Sequence, residues 1–212
     1  SKREGPAGMV GGVSVYRREE PGMIGDGPLY GALSYDTDGT GDCHLFSREL
    51  AKACETKGVQ FRYNTETEHL VADDRRVTGV TIRKDDGTSE TLETDAVVVS
   101  AGCWSGHLTR PLGLELPIYP VKGYSFTVPL KDPGRAPVST IHDDNYKVVS
   151  TRLGERLRAS GFVELDDFNR DIPEARLATI RKSVESRFPG CADLETAETW
   201  TGFRPMTPDG PA

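Results

Sequence analysis

The chain has 212 residues, of which 36% are hydrophobic and 28% charged, with 26 Lys and Arg against 33 Asp and Glu for a formal charge of −7. That length buries a sizeable core as one large domain or two small ones, and the composition, with 23 Gly and 14 Pro, is that of a turn-rich folded protein and argues against wholesale disorder. The acidic balance argues against nucleic acid as a partner, and no stretch approaches the roughly 20 apolar residues of a membrane span, nor does Ser1-Lys-Arg-Glu-Gly-Pro-Ala carry the apolar core of a signal peptide.

Residues 1 to 34 mix Gly and Pro with short apolar pieces such as Met9-Val10 and Val13-Ser-Val15, which predicts loops with at most brief strands. From Asp42 the pattern becomes helical: Asp42 can cap a helix whose apolar stripe is Leu45, Phe46, Leu50, Ala53 and Cys54, with Gly58 at its stop. Val59, Phe61 and Tyr63 then alternate with polar residues, and two strand-like runs, 77 to 82 and 89 to 92, flank the turn Asp85-Asp-Gly-Thr88 as a hairpin. The run 95 to 105, Asp-Ala-Val-Val-Val-Ser-Ala-Gly-Cys-Trp-Ser, is continuously apolar between an Asp and a Gly, as expected of a strand buried on both faces of a parallel sheet. Further strands are predicted over 118–128, 138–141, 146–151, 157–163 and 198–203. A helix over 173–188 has Pro173 at its first turn and the stripe Ala175, Leu177, Ile180, Val184 and Phe188. The order predicts a helix and parallel-strand layer over 35–110, then a mainly antiparallel sheet with one long helix.

Two places carry chemistry. The apolar run ends in Ser100-Ala101-Gly102, which brings bare backbone to the carboxyl edge of a sheet, where open α/β folds bind their ligands; a strand followed by Gly is also a common way to turn a corner. Arg204, between Phe203 and Pro205, presents a planar fork of donors suited to two carboxylate oxygens at once, or to a structural ion pair with an Asp or Glu. Cys43, Cys54, Cys103 and Cys191 are widely spaced and form no metal or redox pattern, so reduced structural thiols are expected; His44, His69, His107 and His142 do not cluster, and no metal site is nominated.

Several segments together resemble a known family: Gly39-Thr-Gly-Asp-Cys-His-Leu-Phe46, Gly58-Val-Gln-Phe-Arg-Tyr-Asn-Thr65, Val77-Thr-Gly-Val80, residues 95 to 105, Tyr119-Pro-Val-Lys-Gly-Tyr-Ser125, Ala136-Pro-Val-Ser-Thr140 and Trp200-Thr-Gly-Phe-Arg-Pro-Met-Thr-Pro-Asp-Gly210. In this order they are similar to the D-amino acid dehydrogenase family, among the FAD enzymes that resemble D-amino acid oxidase and glycine oxidase. The resemblance implies an α/β (α+β) fold: part of a Rossmann-like FAD-binding domain plus a mainly antiparallel substrate domain. It divides the chain into 1–34, the N-terminal part of the substrate domain; 35–110, the middle of the FAD domain; and 111–212, the substrate domain up to the return to the FAD domain. Such enzymes open with a G-x-G-x-x-G turn and carry a Gly-rich flavin segment after R-P-x-T-P-D-G; neither is present here, so an internal fragment of a longer enzyme is expected.

The resemblance also implies roles. Thr67, where the family usually has Val, would meet the adenine through its backbone; Ser100, Ala101 and Gly102 would lie against FAD, with Trp104 packed near it. Arg204 and Tyr146 would hold the substrate carboxylate. No side chain is nominated as a catalytic acid or base, because hydride passes from Cα to FAD and water hydrolyses the imine to a 2-oxo acid and ammonia. The implied partners are an amino acid and a quinone or other electron acceptor, and the implied location is the cytoplasm, including the inner face of the membrane. The alternatives are a glycine or sarcosine type of amine oxidase, and a non-catalytic fragment or binding module.

Overall fold

A computed structural model describes residues 9–210 apart from Gly12, Gly27, Pro28 and Asp36. In chain order the elements are β1 (Met9–Gly11), α1 (Val13–Glu19), β2 (Ala32–Ser34), α2 (Cys43–Glu55), β3 (Glu66–Ala72), β4 (Val77–Arg83), β5 (Ser89–Glu93), α3 (Ser105–Thr109), β6 (Tyr119–Pro129), β7 (Thr140–Asp143), β8 (Val148–Leu153), β9 (Arg156–Leu165), α4 (Glu174–Arg187) and β10 (Glu198–Met206). This is the mixed α/β class expected, with antiparallel pairing throughout the registered strands. Among the described residues no helix is long and apolar enough to cross a membrane.

The chain divides into two units. The first comprises Ser1–Cys43, Lys122–Glu164 and Asn169–Gly202. It holds most of a five-stranded sheet in the order β10-β6-β9-β8-β7. Alternation sends Tyr124, Phe126 and Val128 of β6, Val148 of β8, and Leu157 and Ala159 of β9 into one core with Ile180 and Val184 of α4 and with Phe188. Each such large side chain contributes about 1.5–3 kcal/mol by leaving water. Leu177, Ile180 and Val184 form the buried stripe predicted for α4, whereas Ala175 faces solvent. Beneath the helix Arg187 Nε donates to Asp143 Oδ2 at 2.9 Å, both side chains nearly sealed from water.

The loops expected at the N-terminus include a helix, α1. Its sequence lacks an apolar helical period, and tertiary contacts fix it instead: the Tyr16 hydroxyl donates to the Ala32 carbonyl, and Glu20 just beyond the helix accepts the N–H groups of Val138 at 2.7 Å and Ser139 at 2.8 Å. A local pattern cannot report partners more than a hundred positions away.

The second unit comprises His44–Val121, Leu165–Phe168 and Phe203–Ala212. Its sheet is the meander β3-β4-β5, and the hairpin predicted around 85–88 is present, with Arg83 opposite Ser89. β3, not expected as a separate strand, pairs with β4 through a register shift between Thr67 and His69. Two expected strands form no ladder: 59–63 and the apolar run after Asp95. A central parallel strand exists only where neighbours accept and donate on both sides, and neither run joins a strand of the described sheets; Val98 is 87% exposed. The predicted α2 is present, but Leu45, Phe46 and Leu50 of its stripe are exposed.

Candidate functional site

In the second unit, the run after Asp95 and the β3–β4 hairpin together line a half-open cavity of about 330 Å³. Thr67 lines it from β3, Leu70 and Val80 from the hairpin, Ser100 and Ala101 from the end of the run, and Leu108 from α3. Three of the residues nominated for cofactor contact, Thr67, Ser100 and Ala101, therefore converge on one cavity although 33 positions separate Thr67 from Ser100. The lining is aliphatic apart from two hydroxyls, which suits a flat aromatic group better than a charged one.

At Gly102 the backbone turns with φ +55°, and a Cβ there would meet nothing within 4 Å, so open space stands in front of bare backbone. The turn is locked by Trp104 N–H donating to the Ala101 carbonyl at 3.0 Å. Cys103 within the turn is buried, and burial pushes its thiol up from the usual range.

Trp104 does not line the cavity. Its ring stands 5.1 Å from Phe168 and 6.0 Å from Phe203, and Phe168 also meets Phe203 at 5.6 Å and His107 at 5.6 Å. Phe203 immediately precedes Arg204, so this cluster ties the segment bearing Arg204 to the Ser100-Ala-Gly102 corner inside one unit. Sequence reasoning missed Phe168, which lies in a loop after β9 with no periodicity to mark it; Phe203 stood within the recognised motif but was not given this packing role.

Arg204 itself departs from expectation. Expected just beyond a strand over 198–203, it stands within an edge strand, β10, on which Thr201 is the buried residue and Arg204 is exposed. An edge strand loses one ladder neighbour and with it the cover of that neighbour's side chains.

In the first unit, Tyr146 lies in the turn between β7 and β8, not at a strand start: Lys147 adopts φ +54° and the strand begins at Val148. Half-buried, Tyr146 packs against the unit's core, with Lys182 Nζ of α4 6.0 Å from its ring centre. None of the four cysteines forms a disulfide, and among the described residues no group of three or more His, Cys, Asp or Glu is placed to hold a metal ion.

Residues 4–212 match the family of FAD dependent oxidoreductases designated DAO. Curated relatives include proteins named D-amino acid dehydrogenase from Bradyrhizobium diazoefficiens, 46% identical over 91% of this chain and 45% of the relative, and from Cereibacter sphaeroides, 48% identical over 90% of this chain and 43% of the relative. The chain thus spans a little under half the length of the curated relatives it matches. Among solved structures, glycine oxidase from Bacillus cereus shares the fold at a TM-score of 0.79 and 22% identity, over 97% of this chain and 55% of that one. Glycine oxidase from Geobacillus kaustophilus superposes at 0.78 with 25% identity, over 98% of this chain and 53% of that one. The aliphatic cavity beside an unobstructed Gly102 fits a flavin dinucleotide's need for an apolar slot and close backbone approach, and the chain belongs to the FAD dependent oxidoreductase family, DAO.

Proposed function

We propose that this chain is part of an enzyme that oxidatively deaminates D-amino acids to 2-oxo acids and ammonia, passing two electrons to a quinone or another acceptor. The observation that carries the reading is the packing of Phe203, the neighbour of Arg204, on Trp104, the end of the corner beside the cavity. It supports the reading because the segment of Arg204, proposed to bind the carboxylate, and the backbone proposed to meet FAD share one aromatic cluster. The curated names support the substrate class.

FAD, when bound, supplies the two-electron acceptor. Thr67, Ser100, Ala101 and Gly102 would hold it, the first three through the cavity they line and Gly102 through unobstructed backbone, with Trp104 supporting the corner from outside. Arg204 is assigned to the α-carboxylate of the amino acid, and Tyr146, in the other unit, is assigned to substrate binding. A carboxylate held by paired N–H donors fixes which face of Cα is presented, and this alignment is the protein's contribution to rate. The amine leaves its lone pair to the forming imine, water hydrolyses the imine, and no side-chain base is required. In domain terms, 35–110 is assigned to the FAD-binding domain, with 1–34 and 111–212 assigned to the substrate domain. A quinone acceptor would bring such an enzyme to the inner face of the membrane from the cytoplasm.

The test is the enzyme carrying Arg204→Lys, which keeps the charge and loses the fork. The Michaelis constant for D-alanine should rise at least tenfold with flavin content unchanged. Unchanged kinetics would remove Arg204 from the site. Peroxide formed at most of the turnover rate, in place of dye or quinone reduction, would favour an amine oxidase of the glycine oxidase kind.

A further inference from the structure

We propose that Arg158, Ser125 and Trp200 form a second carboxylate-binding subsite, built wholly within the first unit and suited to small planar acids such as 2-oxo acids.

The arginine's setting carries this. Arg158 stands on β9, a strand flanked by both neighbours, and alternation sends it to the face opposite the Leu157 and Ala159 core. One of its N–H groups donates to Ser125 Oγ at 3.0 Å, and Ser125 is 2% exposed. Its guanidinium lies over the Trp200 ring, 5.5 Å from the centroid. The indole is itself pinned: it folds across Gly202 so closely that a Cβ there would stand 2.1 Å from the ring. Guanidinium, buried hydroxyl and aromatic platform are therefore held in place before any ligand arrives.

What Arg158 lacks is an anion. The neighbouring arginines all have one: Arg156 reaches Asp42 at 3.6 Å, Arg152 reaches Glu155 at 3.3 Å, and Arg176 reaches Glu164 at 2.6 Å. Among the described residues no carboxylate pairs with Arg158, in a chain with 33 of them. A half-buried guanidinium with most of its donors unspent binds a carboxylate more strongly than an exposed one, because less water competes. Beside it by register stands Thr151, whose hydroxyl continues to Thr140 at 3.1 Å and on to Thr40 at 2.8 Å. This row of hydroxyls can accept or donate to the polar end of a small acid, while the indole, covered by the guanidinium, holds Arg158 in place. The subsite requires nothing of Arg204. Only the choice of 2-oxo acids as the natural class rests on the function proposed above.

The experiment is a titration of this chain with pyruvate, followed by tryptophan fluorescence in a Trp104→Phe background, so that Trp200 is the sole reporter. Saturable quenching is expected, weakened roughly tenfold or more by Arg158→Gln, partly restored by Arg158→Lys, and unaffected by Arg204→Gln. Unfolding of each variant in urea is measured alongside, and Ser125→Ala, which spares the charge, provides a milder variant with an expected severalfold loss. Absence of saturation, or equal affinity in Arg158→Gln, would overturn the subsite. Loss through Arg204→Gln alone would assign pyruvate to the site already proposed. Pyruvate binding through Arg158 in a protein whose parent does not oxidise D-amino acids would leave the subsite standing and refute the function.

Discussion

Trp104 and Phe203 meet edge to face, ring centroids 6.0 Å apart and planes at 76°. The contact joins two segments a hundred residues apart, one ending the run that lines the cavity and the other opening the motif that bears Arg204. Edge-to-face pairs add about 0.5–1.5 kcal/mol to what ring burial supplies. Phe203→Ala should cost about 1–2 kcal/mol in urea unfolding and, in the enzyme carrying this sequence, should both lower flavin content and raise the Michaelis constant for D-alanine. Trp104→Phe, which keeps an edge for Phe203, should move neither by more than about twofold.

The buried Arg187–Asp143 pair makes a sharper stability prediction. Asp143→Ala takes this carboxylate away from a guanidinium nearly sealed from water and should destabilise the first unit by about 3–5 kcal/mol. Replacing both partners, as Asp143→Leu with Arg187→Met, should recover most of that loss, since the attraction of a buried pair is largely cancelled by the cost of dehydrating it. A double-variant cycle in urea measures both.

Glu20 offers a local counterpart. It is 4% exposed and takes the N–H groups of Val138 and Ser139 together with the Ser139 hydroxyl. Glu20→Gln keeps the shape but turns donors toward donors, and should cost about 2–3 kcal/mol. Hydrogen exchange should speed first at Val138 and Ser139, ahead of the β6–β9 core.

Cys191 gives a pH dependence. It is 1% exposed, and burial, helped by the nearby Glu185 carboxylate, pushes its thiol up from 9.0 to about 11. A raised folded value means that the folded state holds the proton longer than the unfolded chain. The resulting stability is full below pH 9 and declines as pH rises from 9 toward 11. The difference in unfolding free energy between the parent and Cys191→Ala should shrink across that window and stay flat from pH 6 to 8. Iodoacetamide at pH 8 should label the exposed Cys43 and spare Cys191 until urea is added.

Local patterns carried part of this molecule. The helices α2 and α4 were legible because an apolar stripe repeats within a few positions, though only in α4 is that stripe buried, and the hairpin at 85–88 because its turn residues sit between its strands. The segments shared with the family, including those that carry Ser100, Ala101, Gly102 and Arg204, were legible as a set, since their order along the chain is itself information.

Other features were decided by tertiary structure alone. Helix α1 exists through contacts to residues far along the chain, and an apolar run such as 95–105 cannot announce whether neighbours will stand beside it. Arg204 lies on an edge strand and Tyr146 in a turn because ladder partners, which are non-local, set exposure and strand ends. The convergence of Thr67 with Ser100 and Ala101, the pairing of Trp104 with Phe203, and the unpaired Arg158 over Trp200 are likewise distances between remote residues. The sequence by itself determined which side chains were at hand and which family they belong to. Only folding decided which of them meet, because ring stacking, cavity lining and ion pairing act through space and leave no period in the chain.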